Sequence, residues 1–152
     1  MATMCCSHLK PLLDPVERKY TIDKCILDLK AHVDKFDAIA VMGYSMAFIA
    51  PCVADALHKH LILVRKPNEF SHSNYAVEGT MCKKYIIIDD LVCSGETIET
   101  IKQKMGDFFY CNAKLVGIYL YQPQHSSYRT HDSVKHHLGI ELLNDRNDIC
   151  DC

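Results

Sequence analysis

The sequence lacks the features that mark several large classes of protein. It has 17 Lys and Arg against 19 Asp and Glu, so it has no excess of positive charge, and we expect no nucleic-acid partner. Its longest apolar stretch, around residues 48–53, is far shorter than the roughly 20 residues that span a bilayer, which predicts no membrane association. No apolar segment follows a basic start at the N-terminus, so no secretory signal is predicted.

The spacing of the cysteines does not indicate a set of disulfide bonds. There are nine, an odd number, and their spacing is irregular. In the absence of an export signal, this pattern argues against disulfide bonds and favours a reducing, cytoplasmic location. No C-x-x-C pair occurs, so we expect no structural zinc site and regard most of the thiols as small apolar side chains.

Several well-known ligand and catalytic motifs are also missing. The sequence contains no G-x(4)-G-K-[ST] phosphate loop and no G-x-G-x-x-G dinucleotide fingerprint. It has no G-x-S-x-G nucleophile elbow either. A P-loop nucleotidase, a dinucleotide-binding domain of the usual type and an α/β-hydrolase are therefore disfavoured.

What is present is an alternation of short apolar runs and helical patterns. Continuous apolar runs are typical of parallel strands that are covered on both faces. The patterns predict strands at 38–42, 61–64, 85–88 and 115–121, helices at about 22–34, 46–60 and 97–105, and a long mobile loop at 67–80. We therefore predict a single α/β domain over residues 1–152, with a mostly parallel five-stranded sheet flanked by helices. Pro11 and Pro15 predict that residues 1–20 are irregular, and Thr21 is the predicted cap of the first helix. Residues 1–20 and 123–152 are possible elements of a small hood over the site.

Three polar segments follow predicted strands, at the sheet edge where open α/β sheets bind ligands: 43–45, 65–66 and 89–97. In the last of these, Asp89 and Asp90 form an acidic pair suited to ribose hydroxyls or a cation. The residues that follow turn into a helix, where free backbone N–H groups and the hydroxyls of Ser94 and Thr97 suit a phosphate. This indicates a ribose-5-phosphate site; a solvated turn with a helix cap is the simpler alternative.

Residues 86–97, with Tyr85 before them as the first of four apolar residues, resemble the signature of the type I phosphoribosyltransferases: four apolar residues, two acids and a small loop ending in S/T-G-x-T. Shorter segments are similar to the adenine phosphoribosyltransferases, namely L-L-D-P at 12–15, F-D-A-I at 36–39, V-R-K at 64–66 and Y-A-V-E at 75–78. The resemblance extends over roughly residues 9–121.

The resemblance implies an enzyme of nucleotide salvage that uses Mg²⁺. Its substrates would be the small molecules 5-phosphoribosyl 1-diphosphate and a nucleobase, and its products a nucleoside monophosphate and pyrophosphate. Adenine is the favoured base, with another purine or a pyrimidine left open. A homodimer is possible, since dimers are usual among such proteins.

The same resemblance assigns roles to individual residues. It implies catalytic roles for Asp89, Asp90, Lys66 and Glu78; the two aspartates face the ribose hydroxyls and meet the metal indirectly, through those hydroxyls and water. The implied substrate-binding residues are Cys93, Ser94, Gly95, Glu96 and Thr97 for the 5-phosphate, Gly43, Tyr44 and Ser45 for the pyrophosphate loop, Arg65 for the leaving diphosphate, and Tyr75 as a shield.

The sequence departs from the adenine members at three places. The segment 42–46 reads M-G-Y-S-M and lacks their loop arginine, the hairpin between Gly79 and Tyr85 is short, and Glu96 puts an acid beside the phosphate. These departures keep open an alternative, a non-catalytic regulator that binds the same donor or a nucleotide. A subunit of a 5-phosphoribosyl 1-diphosphate synthase is disfavoured, because the chain has half the length that two such domains need.

Overall fold

The computed structural model of the chain describes residues 9–69, 72–109 and 112–148. The helices are α1 (Lys10–Leu13), α2 (Pro15–Lys30), α3 (Tyr44–Ala47), α4 (Ala50–Leu57), α5 (Glu96–Phe109) and α6 (His131–Leu138). The strands are β1 (Ala38–Met42), β2 (His60–Val64), β3 (Val77–Glu78), β4 (Lys84–Asp89), β5 (Lys114–Leu120) and β6 (Glu141–Leu142). No helix in the described ranges is long and apolar enough to cross a membrane.

One sheet contains all six strands, in the order β3-β2-β1-β4-β5-β6. Strands β2, β1, β4, β5 and β6 run parallel, and β3 pairs antiparallel with β2. The predicted single α/β domain with a mostly parallel sheet is confirmed. The predicted number of five strands is wrong, because β3 and β6 have only two residues each and are too short to show a strand period in the sequence.

The sheet is covered on both faces, which explains the continuous apolar runs. In β1, Ala38 and Ala40 face a core that includes Ile98 and Ile101 of α5. The alternate residue Ile39 faces a second core, which is built with side chains of α2 and α4. All five residues of β1 are buried, as expected for a central parallel strand.

The N-terminal region differs from its prediction. Residues 1–20 were expected to be irregular because of Pro11 and Pro15, with a helix capped by Thr21, but α2 begins at Pro15. The Asp14 carboxylate accepts hydrogen bonds from the N–H groups of Val16 at 2.9 Å and Glu17 at 3.0 Å, and a proline at the first helical position needs no N–H partner. Pro15 therefore starts a helix instead of preventing one.

Other boundaries differ in smaller ways. The helix predicted at 46–60 is split into α3 and α4 around Ile49, again with a proline, Pro51, in the first turn of the second helix. The predicted loop at 67–80 contains β3. Residues 123–148, which showed little periodicity, contain α6 and β6. The hood assigned to 1–20 and 123–152 stays a prediction, and residues 1–8 and 149–152 lie outside the described residues.

No disulfide is found among the cysteines of the described ranges, which are Cys25, Cys52, Cys82 and Cys93. Cys25 and Cys82 are buried, in keeping with the expectation that thiols act as small apolar side chains. The other five, at positions 5, 6, 111, 150 and 152, lie outside the described residues.

A buried amide holds the carboxyl end of β5. Oδ1 of Asn144 accepts a hydrogen bond from the N–H of Leu120 at 3.0 Å, and Nδ2 of Asn144 donates to the carbonyl of Leu120 at 2.6 Å. The side chain thus makes the two bonds that a neighbouring strand would make, at a point two residues beyond the end of β6. Asn144 is 6% exposed, so no water replaces these bonds.

We expect the substitution Asn144→Ala to lower the free energy of unfolding by about 1–3 kcal/mol, because it leaves both backbone groups of Leu120 buried and unpaired. Urea denaturation of the two proteins measures the difference. Asn147→Ala is the matched control, since that side chain is exposed and its loss should cost less than about 0.5 kcal/mol. Equal effects of the two substitutions would show that the Asn144 amide does not brace β5.

Candidate functional site

The segments that follow β1, β2 and β4 meet at the carboxyl edge of the sheet around a cavity of about 260 Å³. Because these strands are parallel, their carboxyl ends lie on the same side. The lining comes from the ends of β1 and β2 and from the whole turn between β4 and α5: Met42, Ser45, Lys66, Asp89, Asp90, Leu91, Val92, Cys93, Ser94, Gly95, Glu96, Thr97 and Ile98. Nine of these thirteen residues were predicted site residues.

The acidic pair lies where β4 ends. Asp89 is the last residue of the strand and is 9% exposed, whereas Asp90 is half-buried. The N–H of Asp90 donates to Oδ1 of Asp89 at 2.9 Å, and the N–H of Leu91 donates to Oδ1 of Asp90 at 2.7 Å. These bonds hold the two carboxyl groups side by side.

The pKa of Asp89 is raised to about 8, first by burial and secondly by the charge of the adjacent Asp90. The ammonium group of Lys66 acts in the opposite direction. Two carboxylates this close do not both ionise readily in a half-buried site. The pair therefore retains a proton near neutral pH until a cation or a hydrogen-bond donor arrives.

The turn from residue 91 to residue 97 leads into α5, a helix of 14 residues. Gly95 has φ +85°, a conformation that favours glycine. The Ser94 hydroxyl accepts a hydrogen bond from the N–H of Glu96 at 3.3 Å. The start of α5 carries the partial positive charge of the helix dipole at the cavity wall, which suits a phosphate.

Glu96 lies at the rim of this turn. Its side chain is exposed, yet the residue lines the cavity. An acid here favours the start of α5, because negative charge stabilises a helix N-terminus, but it repels an anion bound at the same place. Solvent exposure weakens this repulsion without removing it.

Lys66 reaches the cavity across Gly43. A Cβ atom at position 43 would lie 3.1 Å from Cε and 3.4 Å from Nζ of Lys66, and Gly43 has φ +97°. The backbone conformation favours glycine, and a side chain here would displace the end of Lys66. Gly43 thus lies behind the lysine without lining the cavity.

Four other predicted residues also lie off the cavity lining. Arg65 forms an ion pair with Glu78 through Nη2, and its Nε donates to the carbonyl of Tyr75 at 3.2 Å. Hydrogen bonding from Ser73, and secondly from Arg65, lowers the pKa of Glu78. Arg65 and Tyr75 line a neighbouring cavity of about 320 Å³, which Lys66 also borders. Tyr44 is 78% exposed.

The roles implied for these residues remain predictions. In this arrangement Arg65 and Glu78 satisfy each other beside the cavity, and neither charge is directed at a ligand within it. Lys66 is the only Lys or Arg among the described residues that line the cavity.

Sequence reasoning did not identify the apolar part of the lining, formed by Met42, Leu91, Val92 and Ile98. Tyr121 was not among the predicted site residues either. The ring of Tyr121 does pack against the core on the α2 side of the sheet, but its hydroxyl is buried without a hydrogen-bond partner. Burial, and secondly the charge of Asp90, raises its pKa, and the Ser45 hydroxyl lies nearby without completing a hydrogen bond. The position of Tyr121 one residue beyond a strand end was the only signal.

The protein is similar in structure to several phosphoribosyltransferases. The orotate phosphoribosyltransferase of Aeropyrum pernix matches with a TM-score of 0.60 and 18% identity, over 88% of this chain and 72% of that one. The adenine phosphoribosyltransferase of Saccharomyces cerevisiae, complexed with adenine and an iminoaltritol bisphosphate, matches with a TM-score of 0.59 and 18% identity, over 86% and 79%.

UMP synthase of Leishmania donovani matches with a TM-score of 0.61 and 23% identity, over 84% of this chain. The matched part is 26% of that protein, so this chain spans about a quarter of its length. No protein-family model matches the sequence, and no curated protein matches it significantly. The protein has the phosphoribosyltransferase fold, and the fold implied by residues 86–97 is confirmed.

Proposed function

We propose that the protein transfers the 5-phosphoribosyl group of 5-phosphoribosyl 1-diphosphate to a nucleobase, with release of pyrophosphate. A single observation carries the proposal: one cavity joins the Asp89–Asp90 pair, the turn before α5 and the Lys66 side chain. Each of these suits a different part of the donor, namely its ribose hydroxyls, its 5-phosphate and its diphosphate.

The residues of the cavity suit a reaction in which the leaving group departs with negative charge. Positive charge placed where that charge develops lowers the barrier, and Lys66 supplies it. Ribose hydroxyls that donate to the aspartate pair bring its charge close to the ring carbon that becomes cationic. Residues 67–69 and 73–76 border the neighbouring cavity, and in this proposal they exclude water from the donor.

The acidic pair suits Mg²⁺ held with few protein ligands. Mg²⁺ keeps several of its waters when it binds together with substrate phosphates, and the two adjacent aspartates would accept hydrogen bonds from those waters and from the ribose hydroxyls. No group of three or more His, Cys, Asp or Glu side chains in the described ranges is arranged to hold a metal alone. When bound, Mg²⁺ would neutralise charge on the leaving diphosphate.

Adenine is the acceptor we favour, on the segments at 12–15, 36–39, 64–66 and 75–78 that are similar to the adenine enzymes. The structural neighbours include both adenine and orotate phosphoribosyltransferases, so another purine or a pyrimidine remains a candidate. Such a reaction belongs to nucleotide salvage, and the scattered thiols favour the cytoplasm as its location. A homodimer is part of the same proposal.

One observation favours the non-catalytic alternative, a regulator that binds the donor or a nucleotide. Arg65, the implied diphosphate ligand, and Glu78, one of the implied catalytic residues, are paired with each other. Lys66 then faces the diphosphate without a second protein cation from the described lining. While Arg65 stays paired with Glu78, the site can still bind a ribose phosphate through the turn before α5.

The decisive assay incubates the protein with 5-phosphoribosyl 1-diphosphate, Mg²⁺ and each of a panel of purine and pyrimidine bases, and follows pyrophosphate release. We expect release with adenine, and at least a ~100-fold lower kcat/KM in Asp89→Asn and Asp90→Asn, because a neutral amide removes the charge that faces the ribose. Asp55→Asn, an exposed change on α4, is the matched control and should retain full activity. Donor binding without release for any base would instead support the regulator.

A substitution of Glu96 is expected to strengthen ligand binding, whereas the aspartate substitutions lower activity. Replacing Glu96 with Gln removes an acid from the rim of the phosphate turn, so we expect ribose 5-phosphate to bind about two- to fivefold more tightly at low salt, with a smaller gain at high salt. Titration calorimetry measures this change. Glu99→Gln, one turn further along α5 and paired with Lys102, should leave the affinity unchanged; an equal gain would show only a general charge effect.

The raised pKa of Asp89 predicts proton release on binding. Below pH 8 the free protein holds a proton that a bound cation or hydroxyl donor displaces, so about one proton should leave when donor and Mg²⁺ bind at pH 7. Proton release should decline above pH 8, because the Asp89 carboxyl of the free protein is already ionised there. It should also decline below about pH 4, the ordinary pKa of a carboxyl group, because the proton then stays on in the bound state as well. Calorimetry in buffers of different ionisation enthalpy counts the protons. The same count in Asp89→Asn would contradict the assignment.

A further inference from the structure

The chain that leaves β5 follows the backbone of the acidic pair and continues along the turn beyond it. The N–H of Tyr121 donates to the carbonyl of Asp89 at 3.1 Å, and the N–H of Gln122 donates to the carbonyl of Asp90 at 2.9 Å. After the turn Pro123–His125, the chain returns to the same segment at Val92. Residues 121, 122, 126 and 127 are therefore hydrogen-bonded to residues 89, 90 and 92.

Val92 is held at both of its backbone groups by two consecutive serines. Its N–H donates to Oγ of Ser126 at 3.0 Å, and its carbonyl accepts a bond from the N–H of Ser127 at 2.7 Å. Val92 is 3% exposed and Ser126 is 8% exposed. The Val92 N–H has no access to water in place of the serine hydroxyl, so loss of that hydroxyl leaves a buried donor unpaired.

A second contact reaches the turn at Gly95. A Cβ atom added there would lie 3.0 Å from Cδ2 of Leu138, at the end of α6. Neither Ser126, Ser127 nor Leu138 lines the cavity of about 260 Å³. The segment from β5 to α6 thus supports the turn from outside the cavity, at Val92 and Gly95.

We propose that Ser126 is a positioning residue that fixes the turn 91–97 in the shape that binds the 5-phosphate. This rests on the proposed function, because it assumes that the turn binds a ribose phosphate. Ser126 does not touch the ligand and acts through Val92. Val92 lies between the acidic pair and the phosphate-binding residues, so its position sets the spacing between the ribose hydroxyls and the 5-phosphate.

The test compares Ser126→Ala with Ser127→Ala. Ser127 is exposed and bonds to Val92 through its backbone N–H, so its side chain can be removed without losing the bond. We expect Ser126→Ala to bind ribose 5-phosphate about five- to tenfold more weakly, at a temperature where circular dichroism shows every variant folded. Ser127→Ala should bind like the unchanged protein.

Amide hydrogen exchange on the ligand-free proteins provides a second readout. Protection of the Val92 amide should fall by about tenfold or more in Ser126→Ala and stay unchanged in Ser127→Ala, with protection inside β4 preserved in both. In the transfer assay the change should appear in KM for the donor with kcat nearly constant, since the 5-phosphate is held equally in ground and transition states. If Ser126→Ala does not fold, Ser126→Cys replaces it, because the thiol retains a weaker hydrogen-bond acceptor. Ser126→Cys should then lose both ribose 5-phosphate affinity and protection of the Val92 amide, by smaller factors.

The outcomes separate this inference from the proposed function. If the unchanged protein binds neither ribose 5-phosphate nor the donor, the proposed function fails, whatever the exchange data show. If it binds ribose 5-phosphate and Ser126→Ala binds equally well, the proposed function stands and the positioning role is wrong. A fall in melting temperature with unchanged affinity would also overturn the positioning role, because it assigns Ser126 to stability alone.

Discussion

The parallel pairing of β4 with β1 on one side and β5 on the other is the constraint on which the site depends. Ile87 of β4 lies opposite Ala40 of β1 and Ile118 of β5, and apolar side chains fill both faces of this central sheet. Asp89 still belongs to the ladder, opposite Leu120. The pairing therefore holds a carboxyl group at the point where the apolar interior ends, and the altered ionisation of Asp89 follows directly from that depth.

Much of this was predictable because strong local patterns carry it. The four longer strands are short apolar runs with polar ends, and the acidic pair with the turn to α5 is a continuous segment of sequence. The strands β3 and β6 were not predictable, since a strand of two residues shows no alternation of apolar and polar side chains. Each of these two strands forms only because it pairs with a strand that is distant in the chain. Pro15 misled the prediction because the same residue that breaks a helix interior suits a helix start, and only the Asp14 cap decides between the two.

Arg65 and Lys66 show a different limit. They are neighbours in one polar segment that follows a predicted strand, but adjacent residues in an extended chain project to opposite sides. Lys66 faces the cavity and Arg65 faces Glu78 of β3. The sequence indicated the sheet edge at which both charges lie, but not that they have different surroundings there. The pairing across to β3 is a tertiary contact that no spacing within 64–66 reveals.

Gly43 sets how far the charge of Lys66 extends into the cavity. A Cβ atom at position 43 would lie 3.1 Å from Cε of Lys66. Because glycine has no Cβ, the lysine side chain can pass close to the backbone at this position. Alanine at this position would place a methyl group in that path and displace the ammonium group, although residue 43 itself carries no charge. The electrostatics of the cavity are thus controlled by steric space at the end of a different strand.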